Sequence, residues 1–268
     1  STERQRPIGL FDSGIGGLSV LHEVRRCLPS RDLIYVADSL YAPYGSRSNT
    51  LILQRSLAIT EALVARGIEA LVIACNTATA AAASELRARF KIPIVAMEPG
   101  IKPAIRYSRT GRIGVLATEG TLRSQRFAQL VETYAHGVHV ITQPCPGLVE
   151  AIEAGSETRI DPLVRGYTHR LREHGVDVVV LGCTHFPLIR PTIERFLGPE
   201  VVVLDTGAAV AQRLSAILRV MPQPAITTSP GLELWATGCM ASLKQAVSQL
   251  GYRDSQIINT LFELDTSV

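Results

Sequence analysis

Eight short runs of almost uninterrupted apolar residues recur along this chain, and most are separated by stretches long enough for a helix. Ile8-Gly9-Leu10-Phe11, Leu33 to Ala37, Ala70 to Ala74 and Ile94 to Met97 lie in the first hundred residues. Ile113 to Ala117, Val138 to Ile141, Val178 to Leu181 and Val201 to Leu204 follow. A strand without polar alternation has to be buried on both faces, which happens chiefly in parallel sheets covered by helices on each side. Leu18 to Cys27, Leu51 to Arg66 and Thr79 to Phe90 read as such helices. The expected fold class is α/β.

The strand ends repeat. Ile8-Gly-Leu-Phe-Asp-Ser-Gly matches Ile113-Gly-Val-Leu-Ala-Thr-Glu, and Ala70-Leu-Val-Ile-Ala-Cys75-Asn-Thr matches Val178-Val-Val-Leu-Gly-Cys183-Thr-His. Pro93 to Glu98 resembles Glu200 to Asp205, and the three offsets are 105, 108 and 107 residues. The spacing predicts two similar open parallel-sheet α/β domains facing each other across a cleft, in a pseudo-twofold relation. The first domain would comprise residues 1–98 plus 208–268 and the second residues 99–207. Pro99-Gly100 and Lys102-Pro103 would form the crossover between them. The tail, with a helix near Ala208 to Leu218 and a strand near Leu232 to Thr237, is expected to pack back onto the first half.

Composition narrows the function classes. The net charge is +3 and the basic residues are scattered without interleaved aromatics, so nucleic acid is not implied. The polar N-terminus lacks a signal-peptide core, and no apolar stretch approaches the roughly 20 residues of a membrane span. Five cysteines, at positions 27, 75, 145, 183 and 239, form no C-x-x-C pair. That pattern speaks against a disulfide framework and against a thiolate zinc site, and fits a soluble protein in a reducing compartment. Cys27 and Cys239 read as small buried apolar side chains, and Cys145 as structural.

In open α/β sheets, ligands bind beyond the carboxyl ends of the strands. The polar residues at those ends are Asp12-Ser13, Asp38, Cys75-Asn76-Thr77, Glu98, Thr118, Cys183-Thr184-His185 and Asp205. Two cysteines at equivalent strand ends would present opposed thiols across the cleft. Inverting a stereocentre through a planar carbanion needs one group to remove the proton and another to return it from the opposite face. A thiolate and a thiol suit these roles, and they exchange roles with reaction direction. A helix starting directly after Cys75 would lower that thiol's pKa, and Pro187 would open a helix giving Cys183 a similar setting. Asp12 and His185 are the nearest titratable groups to tune them.

Asp12-Ser-Gly14-Ile-Gly16-Gly17 fails as a nucleotide motif, because position 19 is Ser19 rather than a third glycine. It keeps the exposed backbone N–H groups of a tight turn, which suit any anion. The strand-end motifs contain no Arg or Lys. A carboxylate would be held by helix termini and by donors such as Ser13, Asn76, Thr77, Thr118, Thr121 and Thr184. Tyr41 to Gly45 reads as a loop able to close over the cleft.

Phe11-Asp-Ser-Gly-Ile-Gly-Gly-Leu-Ser19, Tyr41-Ala-Pro-Tyr-Gly45, Ala74-Cys-Asn-Thr-Ala78 and Gly182-Cys-Thr-His-Phe-Pro-Leu188 resemble the signature segments of bacterial glutamate racemases. The resemblance runs from about Ile8 to Thr237, and the two Cys segments are its specific part. It implies cofactor-independent, metal-free interconversion of L- and D-glutamate, supplying D-glutamate for peptidoglycan in the bacterial cytoplasm. Cys75 would act on the D-enantiomer and Cys183 on the L-enantiomer. Asp12, Ser13, Tyr44, Gly45, Asn76, Thr77, Thr118, Thr184 and His185 match substrate-contacting or assisting positions. Glu150 resembles an acidic residue near the second thiol. The resemblance also implies a homodimer. Thr237-Gly238-Cys239 departs from the family's frequent Thr-Gly-Asp.

Three alternatives stay open on the residues alone. One is an aspartate or other acid racemase of the same superfamily. Another is an acyl-transfer hydrolase with Cys183 as nucleophile, for which Cys75 would be dispensable. The third is a small-acid binding or inhibitory protein without catalysis.

Overall fold

In the computed structural model, residues 6–221 and 230–252 and the backbone of 257–261 are described. The first part of the chain runs β1 (Ile8–Asp12), α1 (Leu18–Cys27), β2 (Leu33–Ala37), α2 (Asn49–Arg66), β3 (Ala70–Ile73), α3 (Asn76–Arg89) and β4 (Ile94–Ala96). It continues through α4 (Ile101–Tyr107), β5 (Arg112–Ala117), α5 (Glu119–Leu122), α6 (Gln125–Tyr134) and β6 (His139–Pro144). Then come α7 (Leu148–Glu153), α8 (Glu157–Glu173), β7 (Val178–Leu181), α9 (Arg190–Leu197) and β8 (Val202–Leu204). The last elements are α10 (Gly207–Arg219), β9 (Leu232–Ala236), α11 (Met240–Gln249) and β10 (Ile257–Leu261).

The strands form two sheets, ordered β10-β9-β2-β1-β3-β4 and β6-β5-β7-β8. Every pairing is parallel. The order β2-β1-β3-β4 reappears as β6-β5-β7-β8, so the strands joined by the sequence repeat, β1 with β5 and β3 with β7, occupy the same places in their sheets. After β8 the chain returns to the first sheet, where α10 packs on α1 and β9 pairs with β2.

Both faces of each sheet are covered, which is why the strands read as unbroken apolar runs. In the first sheet Leu10, Tyr35 and Val72 face α1, α10 and α11, while Phe11, Val36 and Ile73 face α2 and α3. In the second, Leu116, Val179 and Leu181 face α7, α8 and α9, while Val115, Val178 and Val180 face α4 and α6. Fully burying one such side chain stabilises a fold by about 1.5–3 kcal/mol.

The connection after Pro99-Gly100 carries the helix α4, with Pro103 in its first turn, where a missing N–H costs nothing. One local expectation is corrected. Cys27 and Cys239 are exposed, one ending α1 and the other preceding α11, so neither is a core side chain. Among the described residues no helix is long and apolar enough to cross a membrane.

Candidate active site

The strand order fixes where a ligand can enter. Each sheet reverses direction of winding between two adjacent strands, β1 and β3 in one and β5 and β7 in the other, and such switch points open a crevice at the strands' carboxyl ends. In register, Phe11 faces Ile73 and Leu116 faces Leu181. The residues just beyond are Asp12 and Cys75 in the first sheet, and Thr118 and Cys183 in the second. Both thiols line one cleft between the sheets, together with Ser13, Tyr44, Asn76, Thr77 and His185. A wider recess behind Ile15 and Ile152 contains neither thiol.

Cys75 is the N-cap of α3, and its sulfur accepts the Ala78 N–H at 3.3 Å. The Ala-rich first turns of α3 are strong helix formers, so the helix starts immediately after the thiol. Its pKa nevertheless moves up rather than down. Burial is the main cause and the nearby Asp12 and Cys183 add to it, against which the Ala78 N–H is the weaker influence. The side chain is 5% exposed, and at that depth desolvation outweighs the helix terminus.

Asp12 closes the glycine turn. Its Oδ2 accepts the N–H groups of Gly14 and Gly17 at 3.2 and 3.0 Å, and its Oδ1 accepts the Thr184 hydroxyl at 3.4 Å. Burial raises its pKa; His185 opposes that shift and Glu153 adds to it. The glycines are required by close approach. A Cβ on Gly14 would lie 1.9 Å from a Glu153 oxygen, and one on Gly16 would lie 2.2 Å from His185 Nδ1. Ser19 ties this turn to the other half by donating to the Thr184 carbonyl at 2.9 Å.

Cys183 ends the other switch strand, and its Sγ lies 3.8 Å from His185 Nδ1. The expected helix after it is a single 3-10 turn over Phe186–Ile189 with Pro187 as its second residue, so the two thiols do not share one setting. His185 Nε2 bonds Glu153 Oε1 at 2.5 Å, and Nδ1 lies 4.0 Å from Asp12 Oδ2. Nε2 thus has a carboxylate acceptor, while Nδ1 faces the Cys183 sulfur with the Asp12 carboxylate behind it. Burial pulls the His185 pKa down, but Cys183, Glu153 and Asp12 together carry it well above 6.5. Glu153 is shifted down: burial opposes this, and His185 and the Ile15 N–H, donating at 2.7 Å, overcome it.

The acidic residue on this histidine is therefore Glu153, not Glu150. Glu150 sits one turn earlier on α7 and lines the outer mouth of the cleft with Gly45, Ser46, Cys145 and Thr118. Glu98 and Asp205 also lie outside the cleft, where they pair with Arg126 and Arg190. Asp38 is taken up by Arg55.

Hydroxyl and amide donors complete the walls. Thr77 and Thr118, from opposite halves, share a hydrogen bond of 2.7 Å, and Thr121 lies within 3.4 Å of Thr77. Asn76 Nδ2 is buried without a partner among the described residues, a state that costs about 1–3 kcal/mol unless a ligand satisfies it. Among the described residues no Lys or Arg lines the cleft. Among the described residues no group of three or more His, Cys, Asp and Glu side chains is arranged to hold a metal ion.

Known proteins share this architecture and sequence. The chain matches the Asp/Glu/Hydantoin racemase family over residues 9–214. It is 47% identical over 260 residues to a glutamate racemase of Ectopseudomonas mendocina, covering 95% of this chain and 98% of that protein. A glutamate racemase isoform from Bacillus anthracis superposes with a TM-score of 0.87 at 31% identity, covering 98% of this chain and 99% of that one. The Escherichia coli glutamate racemase, solved with L-glutamate and the activator UDP-MurNAc-ala, gives 0.86 at 31% identity, with 97% and 100% covered. The chain belongs to the Asp/Glu/Hydantoin racemase family.

Proposed function

We propose that this protein is a glutamate racemase that moves the α-proton between two thiols. The observation that carries the reading is the pair Cys75 and Cys183, at matching ends of the two switch strands and on the walls of one cleft. Identity near one half to named glutamate racemases over almost the whole chain supports glutamate as substrate, as does the L-glutamate bound in the Escherichia coli relative.

Cys75 takes the proton from D-glutamate and Cys183 from L-glutamate, and the opposite thiol returns one to the other face of the carbanion. Asp12 lies on the Cys75 side. On the Cys183 side, the His185 imidazolium, held by Glu153, places a positive charge next to the sulfur. Ser13, Gly45, Asn76, Thr77, Thr118 and Thr184 hold the carboxylates and the ammonium group, with Tyr44 as a wall. A donor aimed at charge that develops only in the transition state contributes about 3 kcal/mol, so a few of them are a large share of the catalysis. The product serves peptidoglycan assembly in the cytoplasm, and the working form is a homodimer.

Optical rotation of L-glutamate, followed with the protein and no added cofactor, tests the substrate. Decay to zero is the expected result. Decay with L-aspartate but not with L-glutamate would move the protein to another member of the family.

A further inference from the structure

The Tyr41–Gly45 wall of the cleft is fastened from below by a buried charged lock. Asp38, at the end of β2, is fully buried and receives four donors. Arg55, from the middle of α2, spans both its oxygens, with Nε to Oδ2 at 2.9 Å and Nη2 to Oδ1 at 2.8 Å. The Tyr44 hydroxyl donates to Oδ2 at 2.5 Å, and the Thr237 hydroxyl, from just beyond β9, donates to Oδ1 at 2.8 Å. The guanidinium also lies 4.0 Å from the centre of the Tyr41 ring, while Thr237 accepts the Leu40 N–H. The loop is thus held at both ends through one carboxylate. Its far side meets the second half of the molecule, since a Cβ on Gly45 would lie 2.8 Å from the Thr118 Cβ.

A buried ion pair is weak evidence for stability, because apolar residues of similar volume often serve as well. This pair fixes the rotamer of a side chain that lines the cleft. We infer that Arg55 is a positioning residue for the racemisation site, acting through Asp38 to set Tyr44 and Gly45 and so the wall against which the substrate packs. The inference rests on the glutamate reading above. Arg55 and Asp38 do not line the thiol cleft. A wall contacts bound substrate and transition state alike, so loosening it raises KM and leaves kcat nearly unchanged.

The test is steady-state racemisation of glutamate by the full chain, its Arg55→Lys, Thr237→Val and Tyr44→Phe variants, and the Arg55→Lys/Tyr44→Phe double variant. Thermal melts confirm that each is folded. Lysine keeps the charge but cannot span both oxygens. Thr237→Val removes one donor without stranding a buried charge. Arg55→Lys is expected to raise KM about tenfold with kcat within about threefold, and Thr237→Val to raise KM about threefold. Because Arg55 and Tyr44 act through the same carboxylate, the double variant should raise KM by less than the product of the two single effects. A folded Arg55→Lys variant with wild-type KM overturns the inference, and so do Arg55→Lys and Tyr44→Phe effects that multiply in the double variant. A wild-type chain inactive on glutamate removes it together with the substrate reading, which separates the two failures.

Discussion

His185 stands between Cys183 and Glu153, with its Nδ1 3.8 Å from the thiol sulfur and its Nε2 2.5 Å from the carboxylate. The carboxylate orients the ring and keeps it charged, and the ring carries that charge to the sulfur. On the two-thiol proposal this is a second contact behind a reacting group, of the kind that sets both geometry and proton affinity.

Glu153→Gln removes one of the groups that raise the His185 pKa. The imidazolium should then lose its proton at lower pH, moving the basic limb of the kcat/KM profile down and lowering its plateau by about tenfold to a hundredfold. A profile with an unmoved basic limb would separate His185 from the chemistry.

The same pair makes a signed prediction for stability. His185 is raised, so its contribution is full below its ordinary 6.5 and is lost as pH rises through the folded value. Glu153 is lowered, so its contribution is full above its ordinary 4.5 and is lost as pH falls through the folded value. The difference in melting temperature between wild type and Glu153→Gln should be greatest between pH 4.5 and 6.5 and shrink on both sides. A difference independent of pH would contradict it.

Two glycines should behave oppositely when changed to alanine. At Gly16 the new methyl meets the His185 ring at 2.2 Å, and Glu153 and Cys183 prevent the ring from retreating. Gly16→Ala should reduce kcat/KM by at least about 100-fold, since an ångström of misplacement has that effect. Gly166, exposed in α8 with nothing near its Cβ, should gain about 0.4–1 kcal/mol as alanine, with activity unchanged. Kinetics and chemical denaturation of both variants check the contrast.

Thr118 joins the halves through its 2.7 Å bond to Thr77 and caps α5 by accepting the Thr121 N–H. Thr118→Val should raise KM for glutamate about tenfold, the effect of losing about 1.4 kcal/mol of hydrogen bonding. Thr118→Ser, which keeps the hydroxyl, should remain near wild type. Equal KM values for the two would make the threonine a cap and nothing more.

The two sheets were legible because parallel strands buried on both faces leave unbroken apolar runs, and Leu33–Ala37 and Val178–Leu181 needed no adjustment. Cys75 and Cys183 were legible because each ends such a run at the same offset. Glu153 was not, because it shares a six-residue helix with Glu150 and only the fold decides which of them reaches His185. Arg55 was hidden for a similar reason: within the pattern of α2 it reads as a solvated charge, and its partner sits 17 residues away in a loop. The rise in the Cys75 pKa was missed because a helix N-terminus is visible in sequence, while the depth of burial and the approach of Asp12 are tertiary.

The most direct test of the two-thiol account is proton NMR of L- and D-glutamate in D₂O with wild type, Cys75→Ser and Cys183→Ser, alongside optical rotation. The account predicts that wild type loses the α-proton signal and optical activity together from either enantiomer, and that each serine variant nearly abolishes racemisation. Racemisation at wild-type rates in both variants would contradict it.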